Sequence, residues 1–171
     1  MKKFIYILAL SFMASFSLTS CDPETNEEPG GTAVEKMAGY WDVNVYGVTD
    51  AGEPVIDFGP ATIYTYNTVD NSSTKMWLDD QESFWAFKFK VDVNYPQRTF
   101  SCPATDYDAA GTGTAVVTDG KVLEGKAINL HGQPNDSIVF YVDFSDGTEY
   151  YQAYGFSKFM FTGQRHSGFY E

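Results

Sequence analysis

The stretch Ser83-Phe84-Trp85-Ala86-Phe87-Lys88-Phe89-Lys90-Val91-Asp92-Val93-Asn94 decides the fold. Trp85, Phe87, Phe89, Val91 and Val93 share one parity, and Ala86, Lys88, Lys90, Asp92 and Asn94 share the other. A strand turns successive side chains to opposite faces, so this pattern sends one face into a core and the other into water. Five large apolar side chains at roughly 1.5–3 kcal/mol each amount to on the order of 10 kcal/mol as an upper bound. The run would extend roughly 35 Å, about twice an ordinary strand. A strand of that length buries one face by curling, into a barrel or a strongly twisted sandwich.

Alternation recurs on both sides of this stretch. Upstream, Trp41, Val43 and Val45 alternate with Asp42 and Asn44, and Asp50 to Glu53 carries turn chemistry before Pro54. Ala61 to Val69 is rich in Thr, Tyr and Ile; Asp70 to Ser73 turns the chain into Thr74–Leu78. The cluster Asp79-Asp80-Gln81-Glu82 reads as a solvated turn, and Pro96 ends the central strand because it cannot donate to a ladder.

Downstream, Arg98–Cys102 reads as a short edge strand and Pro103–Gly113 as a loop. Thr118-Asp119-Gly120 is a hairpin signal through its Asp-Gly. Ile138, Phe140, Val142 and Phe144 alternate with Val139, Tyr141 and Asp143, Asp146-Gly147 marks another hairpin, and Tyr150–Phe161 reads as the last long strand. Val34–Met37 gives one short turn of helix. Short connections and the lack of a long helical pattern make the chain all-β: one antiparallel barrel of about 8–10 strands, favoured over a sandwich.

The first residues are an address. Lys2 and Lys3 precede an apolar run from Phe4 to Phe16, too short for a span of roughly 20 residues. Leu18-Thr19-Ser20-Cys21 resembles the lipobox of bacterial lipoproteins, in which cleavage precedes a Cys that becomes lipidated. The expected division is 1–20 as a lipoprotein signal peptide, 21–33 as lipidated Cys21 with an acidic flexible tether, and 34–171 as the barrel domain.

The chain has 11 basic and 23 acidic residues and a net charge of −12; loss of Lys2 and Lys3 with the leader takes the mature protein to near −14. Such a surface repels nucleic acid and anionic lipid headgroups, so nucleic acid is excluded as a partner and the membrane is reached through the anchor. Asp22, Glu24, Glu27 and Glu28 behind the anchor resemble the acidic export signal of surface lipoproteins in some Gram-negative gut bacteria; a merely solvated tether has the same composition. With Cys21 lipidated, Cys102 has no disulfide partner and stability must come from the core.

The tether, Gly39-Tyr40-Trp41-Asp42-Val43, the central Phe84-Trp85-Ala86-Phe87-Lys88 and the late Tyr154-Gly155-Phe156 together resemble the gut-bacterial lipoprotein family described as lipid-binding putative hydrolase. That resemblance spans nearly all of the mature chain and implies a lipocalin-like (calycin) barrel, an apolar ligand and a suspected hydrolytic activity. No catalytic motif supports the last. Gly-x-Ser-x-Gly is absent. A Cys102–His131 or Cys102–His166 pair, oriented by Asp106 or Asp108, would make a thiolate–imidazole arrangement, against the commoner role of a lone Cys as small apolar filler. With 23 acidic residues, a carboxylate pair for glycoside hydrolysis cannot be singled out. Two histidines 35 positions apart lack zinc spacing, and Asp106-Tyr107-Asp108 lacks the Glu of a calcium loop, so no catalytic residue, metal or cofactor is assigned.

Aromatic residues make up 17% of the chain, which leaves two uses open: rings that pack the core, or rings that line a pocket. The lining candidates are Trp41, Tyr64, Tyr66, Trp85, Phe87, Phe89, Tyr141 and Tyr154. The expected function is a lipid-anchored protein of the outer membrane, at the cell surface, holding a lipid-like or other apolar small molecule in its barrel. The alternative is a glycan-binding or structural accessory lipoprotein of an outer-membrane uptake system, with rings stacking on sugars; a lipid-acting hydrolase ranks last. Asp136-Ser137-Ile138 resembles the Asp-Ser/Thr-aliphatic acceptor of O-linked sugars in exported proteins of such bacteria, which makes Ser137 the glycosylation candidate.

Changing Cys21 to Ala is expected to move the protein from the membrane to the soluble fraction and to abolish its labelling by a radioactive fatty acid, since an acyl chain is the anchor. Label retained on the Cys21→Ala protein would refute that assignment.

Overall fold

The computed structural model describes residues 31–129 and 131–167; the leader, Cys21 and the acidic segment behind it lie outside them. Eight strands follow in order: β1 Gly39–Val48, β2 Pro54–Asn67, β3 Lys75–Asp79, β4 Lys88–Asn94, β5 Thr99–Asp106, β6 Thr114–Ile128, β7 Pro134–Phe144 and β8 Lys158–Arg165. Each pairs antiparallel with the next, and β8 returns to β1 through Trp41↔Arg165 to Val48↔Lys158, closing the barrel. The barrel expected from sequence is present at the lower end of the expected strand count.

Parity fills it. On β4, Phe89, Val91 and Val93 are buried while Lys88, Lys90, Asp92 and Asn94 are exposed. Ile138, Phe140, Val142 and Phe144 on β7 and Phe159 and Phe161 on β8 point the same way and are fully buried. Phe140 and Phe161 stack with centroids 4.8 Å apart and planes 2° from parallel, with Phe87 edge-on to Phe161 at 5.9 Å. Rings in offset or edge-to-face contact add to the value of their buried area.

One end is sealed. The turn at Ala33–Met37 buries Val34 and Met37 completely beneath β1. Trp41 Nε1 donates to Thr65 Oγ1 at 2.8 Å, and that hydroxyl donates onward to the Met37 carbonyl at 2.6 Å. The Arg165 guanidinium lies 4.4 Å above the Trp41 ring and donates to the carbonyls of Ala38 and Lys36. A buried polar chain is thus fully satisfied while a cation covers its indole.

Four sequence expectations are corrected. β4 begins at Lys88, because residues 81–87 leave the sheet to circle the Asp80 side chain, described below. Thr118-Asp119-Gly120 makes a bulge inside one long β6: Asp119 takes a left-handed φ of 53°, and registers with β5 and β7 shift there. The same Asp-Gly chemistry that turns a hairpin here bends a strand around the barrel. Arg98–Cys102 is no edge, since β5 continues to Asp106 between two neighbours, and Pro103 falls within the register shift from Cys102 to Thr105 where no donor is needed.

The fourth lies after β7. Asp146-Gly147 opens no hairpin but a 3₁₀ turn, Ser145–Gly147, leading into the helix α1 at Thr148–Tyr154. Packing overrides the β propensity of its tyrosines: Tyr151 is buried and its hydroxyl accepts from the Phe144 N–H at 2.7 Å. Gly155, at φ 75°, ends the helix, and only then does β8 begin.

Replacing Phe89 by Asp is expected to cost several kcal/mol, comparable to the total stability of a small domain, whereas Lys90→Asp should stay within about 1 kcal/mol. Urea unfolding midpoints would show this; equal shifts in both would mean the faces of β4 are reversed.

Candidate functional site

The other end of the barrel holds the connections Thr49–Glu53, Asp80–Phe87, Tyr107–Gly113 and Ser145–Ser157. Its geometry starts from β3. Met76 and Leu78 face in and Trp77 faces out; Asp79 turns to the outer wall, where Tyr66 donates to it at 2.9 Å and Lys88 sits at 3.3 Å. Asp80 is therefore carried inward, with no exposed surface.

Its carboxylate is paired by backbone alone. Oδ2 accepts from the N–H groups of Phe84 (3.2 Å), Trp85 (2.7 Å) and Ala86 (2.9 Å). Oδ1 accepts from Glu82 (3.1 Å) and Phe87 (2.9 Å). Gln81, Glu82 and Ala86 all adopt left-handed φ values, of 50°, 59° and 59°, which non-glycine residues adopt at a cost. Charge-assisted bonds converging on a buried carboxylate are strong enough to hold that conformation. Ser83 fastens the loop from outside, donating to the Thr62 carbonyl and accepting from the Thr62 N–H, each at 3.0 Å. The solvated turn expected at Asp79–Glu82 is in fact a buried anchor.

The anchor aims two rings over the barrel. Trp85 stacks on Phe144 with centroids 4.9 Å apart and planes 9° from parallel, and Phe84 packs edge-on against Phe159 at 5.0 Å. Phe58 joins Phe84, Tyr150, Phe156 and Phe159 at 5.5–5.9 Å. From α1, Tyr150 and Tyr154 pair at 4.5 Å and stand 36% and 49% exposed. The apolar core thus runs without interruption out to solvent between loop 80–87 and α1.

Of the residues singled out from sequence, Trp85 and Tyr154 lie at this mouth, with Phe87 and Phe89 in the packed interior below. Trp41 is at the sealed end. Tyr64, Tyr66 and Tyr141 face outward: Tyr64 stacks on Tyr40 at 4.6 Å, Tyr66 on Trp77 at 6.4 Å, and Lys158 lies 5.0 Å over Tyr141. Their parity, opposite to Ile63, Thr65, Phe140 and Val142, already carried that information. Phe58, Phe84, Tyr150, Phe156 and Asp80 were missed; a loop conformation set by one carboxylate leaves no periodic trace. Ser137 is half-buried on β7 opposite Gln164, beside an Asp136 that binds Arg165 at 3.2 Å.

The chemistry-bearing residues do not converge. Cys102 is buried, which pushes its thiol up, and it contacts neither histidine. His131 is exposed in the β6–β7 turn. His166 Nδ1 is 2.8 Å from Asp42 Oδ2, yet no hydroxyl or thiol is hydrogen-bonded to that imidazole among the described residues. Asp108 is occupied with Thr112, and Tyr107 donates to Asp146 at 2.8 Å. Among the described residues no three His, Cys, Asp or Glu side chains gather as a metal site would require.

Asp80→Asn keeps the shape but sets an amide N–H₂ against backbone donors, so it is expected to lower stability by about 3 kcal/mol and to erase the near-UV circular dichroism of the Trp85–Phe144 stack. Glu82→Gln, in the same loop but exposed, should stay within about 0.5 kcal/mol. Equal denaturation curves for Asp80→Asn and the parent would show that the carboxylate does not organise the loop.

No curated protein matches the chain. A family profile described as lipid-binding putative hydrolase does, over residues 26–170, which takes in the whole barrel, the Asp80 loop and α1. A closed eight-stranded barrel with an aromatic mouth agrees with the lipid-binding half of that description. The chain belongs to the lipid-binding putative hydrolase family.

Proposed function

We propose that this protein holds an acyl chain or a similar apolar small molecule at the barrel mouth, against Trp85, Phe84, Phe58, Tyr150 and Tyr154. One observation carries the reading: the aromatic core emerges to solvent between loop 80–87 and α1, where Tyr154 is 49% exposed. Partly wet aromatic rings over a dry floor suit an apolar body, and the tyrosine hydroxyls suit a polar head at the rim. The family supports an apolar ligand in general. Ligand contact lies at the mouth because the interior is filled by Phe87, Phe89, Phe140 and Phe161.

The cellular setting in this proposal is the outer membrane, at the cell surface, with Cys21 carrying the acyl anchor and the acidic segment behind it as tether. Binding rather than hydrolysis is the activity proposed, since Asp42–His166 has no nucleophile in contact among the described residues.

The three tryptophans provide the test, because Trp41 is buried at the sealed end, Trp77 sits on the outer wall and Trp85 is at the mouth. Titration with 9,10-dibromostearate is expected to quench part of the emission of the parent and of Trp77→Phe, and to leave Trp85→Phe unquenched. Equal quenching in Trp85→Phe would place the acyl chain elsewhere and overturn the proposal.

A further inference from the structure

The outer wall carries a second arrangement, which meets the mouth loop at Ser83. Registers β2–β1 and β1–β8 align outward side chains in three rows across three strands. The first row is Tyr64–Tyr40 with His166 beside it; the second is Thr62–Asp42–Gln164; the third is Pro60–Asn44–Thr162. Rows two residues apart on a strand are separated by about 7 Å, and neighbouring strands by about 4.8 Å.

The last two rows line a groove of about 720 Å³, floored by Val43, Ala61 and Gly163 and walled by Ser83 and Ala127. At this floor β8 lies close on β1: a Cβ at Gly163 would collide with the Asp42 carbonyl oxygen. Asn44, Thr62, Thr162 and Gln164 make no side-chain hydrogen bond to the described residues, so two amides and two hydroxyls stand open along the groove. Asp42 is the one charge lining it among the described residues, and His166 engages it at 2.8 Å. The aromatic row bounds one end, with Tyr40 between Tyr64 at 4.6 Å and His166 at 4.3 Å, all three half-exposed.

We infer that this groove is a binding site for a neutral carbohydrate chain, independent of the lipid reading. Amide and hydroxyl side chains offer both donors and acceptors, which is what vicinal sugar hydroxyls require. The rings and Pro60 at the two ends supply apolar surface for the C–H faces of a pyranose. A groove three strands wide spans about 10 Å, room for roughly two sugar rings abreast or a chain along it. Net charge of −12 and the carboxylate of Asp42 disfavour polyanions, which selects neutral over acidic polysaccharide.

Affinity electrophoresis in native gels containing glycogen, mixed-linkage β-glucan, galactomannan or xylan tests this, with alginate as the acidic comparison. At least one neutral polymer is expected to retard the protein, and the double variant Asn44→Ala/Gln164→Ala to bind it about tenfold more weakly. Both substitutions lie on the outer face, so dibromostearate quenching of the double variant should match the parent, which separates failure of this site from failure of the mouth. No retardation by any neutral polymer, unchanged retardation of the double variant, or stronger retardation by alginate would each overturn the inference.

Discussion

The fully buried carboxylate of Asp80 gathers the backbone N–H groups of Glu82, Phe84, Trp85, Ala86 and Phe87. Without that acceptor, five converging donors at the edge of an aromatic core would lose their partner, and the Phe87 N–H would be left buried and unpaired. Three non-glycine residues hold left-handed backbone conformations to satisfy this single group. The consequence is spatial. Phe84 and Trp85 are turned off the sheet and over the barrel, so the central strand stops at Lys88 and two half-buried rings cover this end.

The two ends are built on different physics. The sealed end combines Trp41, Thr65, Met37 and Arg165 in a chain of hydrogen bonds capped by a cation over an indole, with no buried side-chain polar atom left unpaired among the described residues. The mouth has rings against rings, held by a loop on one side and by α1 on the other. Ring contacts are less directional than a hydrogen-bonded network and tolerate exchange of one apolar neighbour for another. Exchange of one apolar neighbour for another is therefore less costly at the mouth than at the sealed end.

Inside and outside also divide the chemistry. Inward positions carry Phe, Val, Ile, Leu and Met, and their packing excludes water. Outward positions keep polar groups in register across strands, as at Thr62–Asp42–Gln164, and stack aromatic pairs such as Tyr66–Trp77 beneath Lys88 and Lys90. An acidic surface around a dry barrel disfavours adsorption to anionic headgroups.

Alternation, at Phe87-Lys88-Phe89-Lys90-Val91 and Ile138–Phe144, together with short connections and no long helical pattern, was enough to read an antiparallel all-β barrel and to assign most inward positions. Parity is a local property of the backbone, so it survives without knowledge of neighbours. Asp80 was opaque for the opposite reason: whether a carboxylate is solvated or buried depends on five amides that a loop brings back to it. Tyr150–Tyr154 read as strand because tyrosine favours sheets, and became helix because Tyr151 docks on Phe144 across the mouth. Likewise Asp119-Gly120 carries the chemistry of a reversal, but the partners on both sides of β6 convert it into a bulge. What the chain determines by itself is which side chains seek water; which of them meet, and hence where a ligand could sit, was decided by closure of β8 on β1, a contact between residues more than a hundred positions apart.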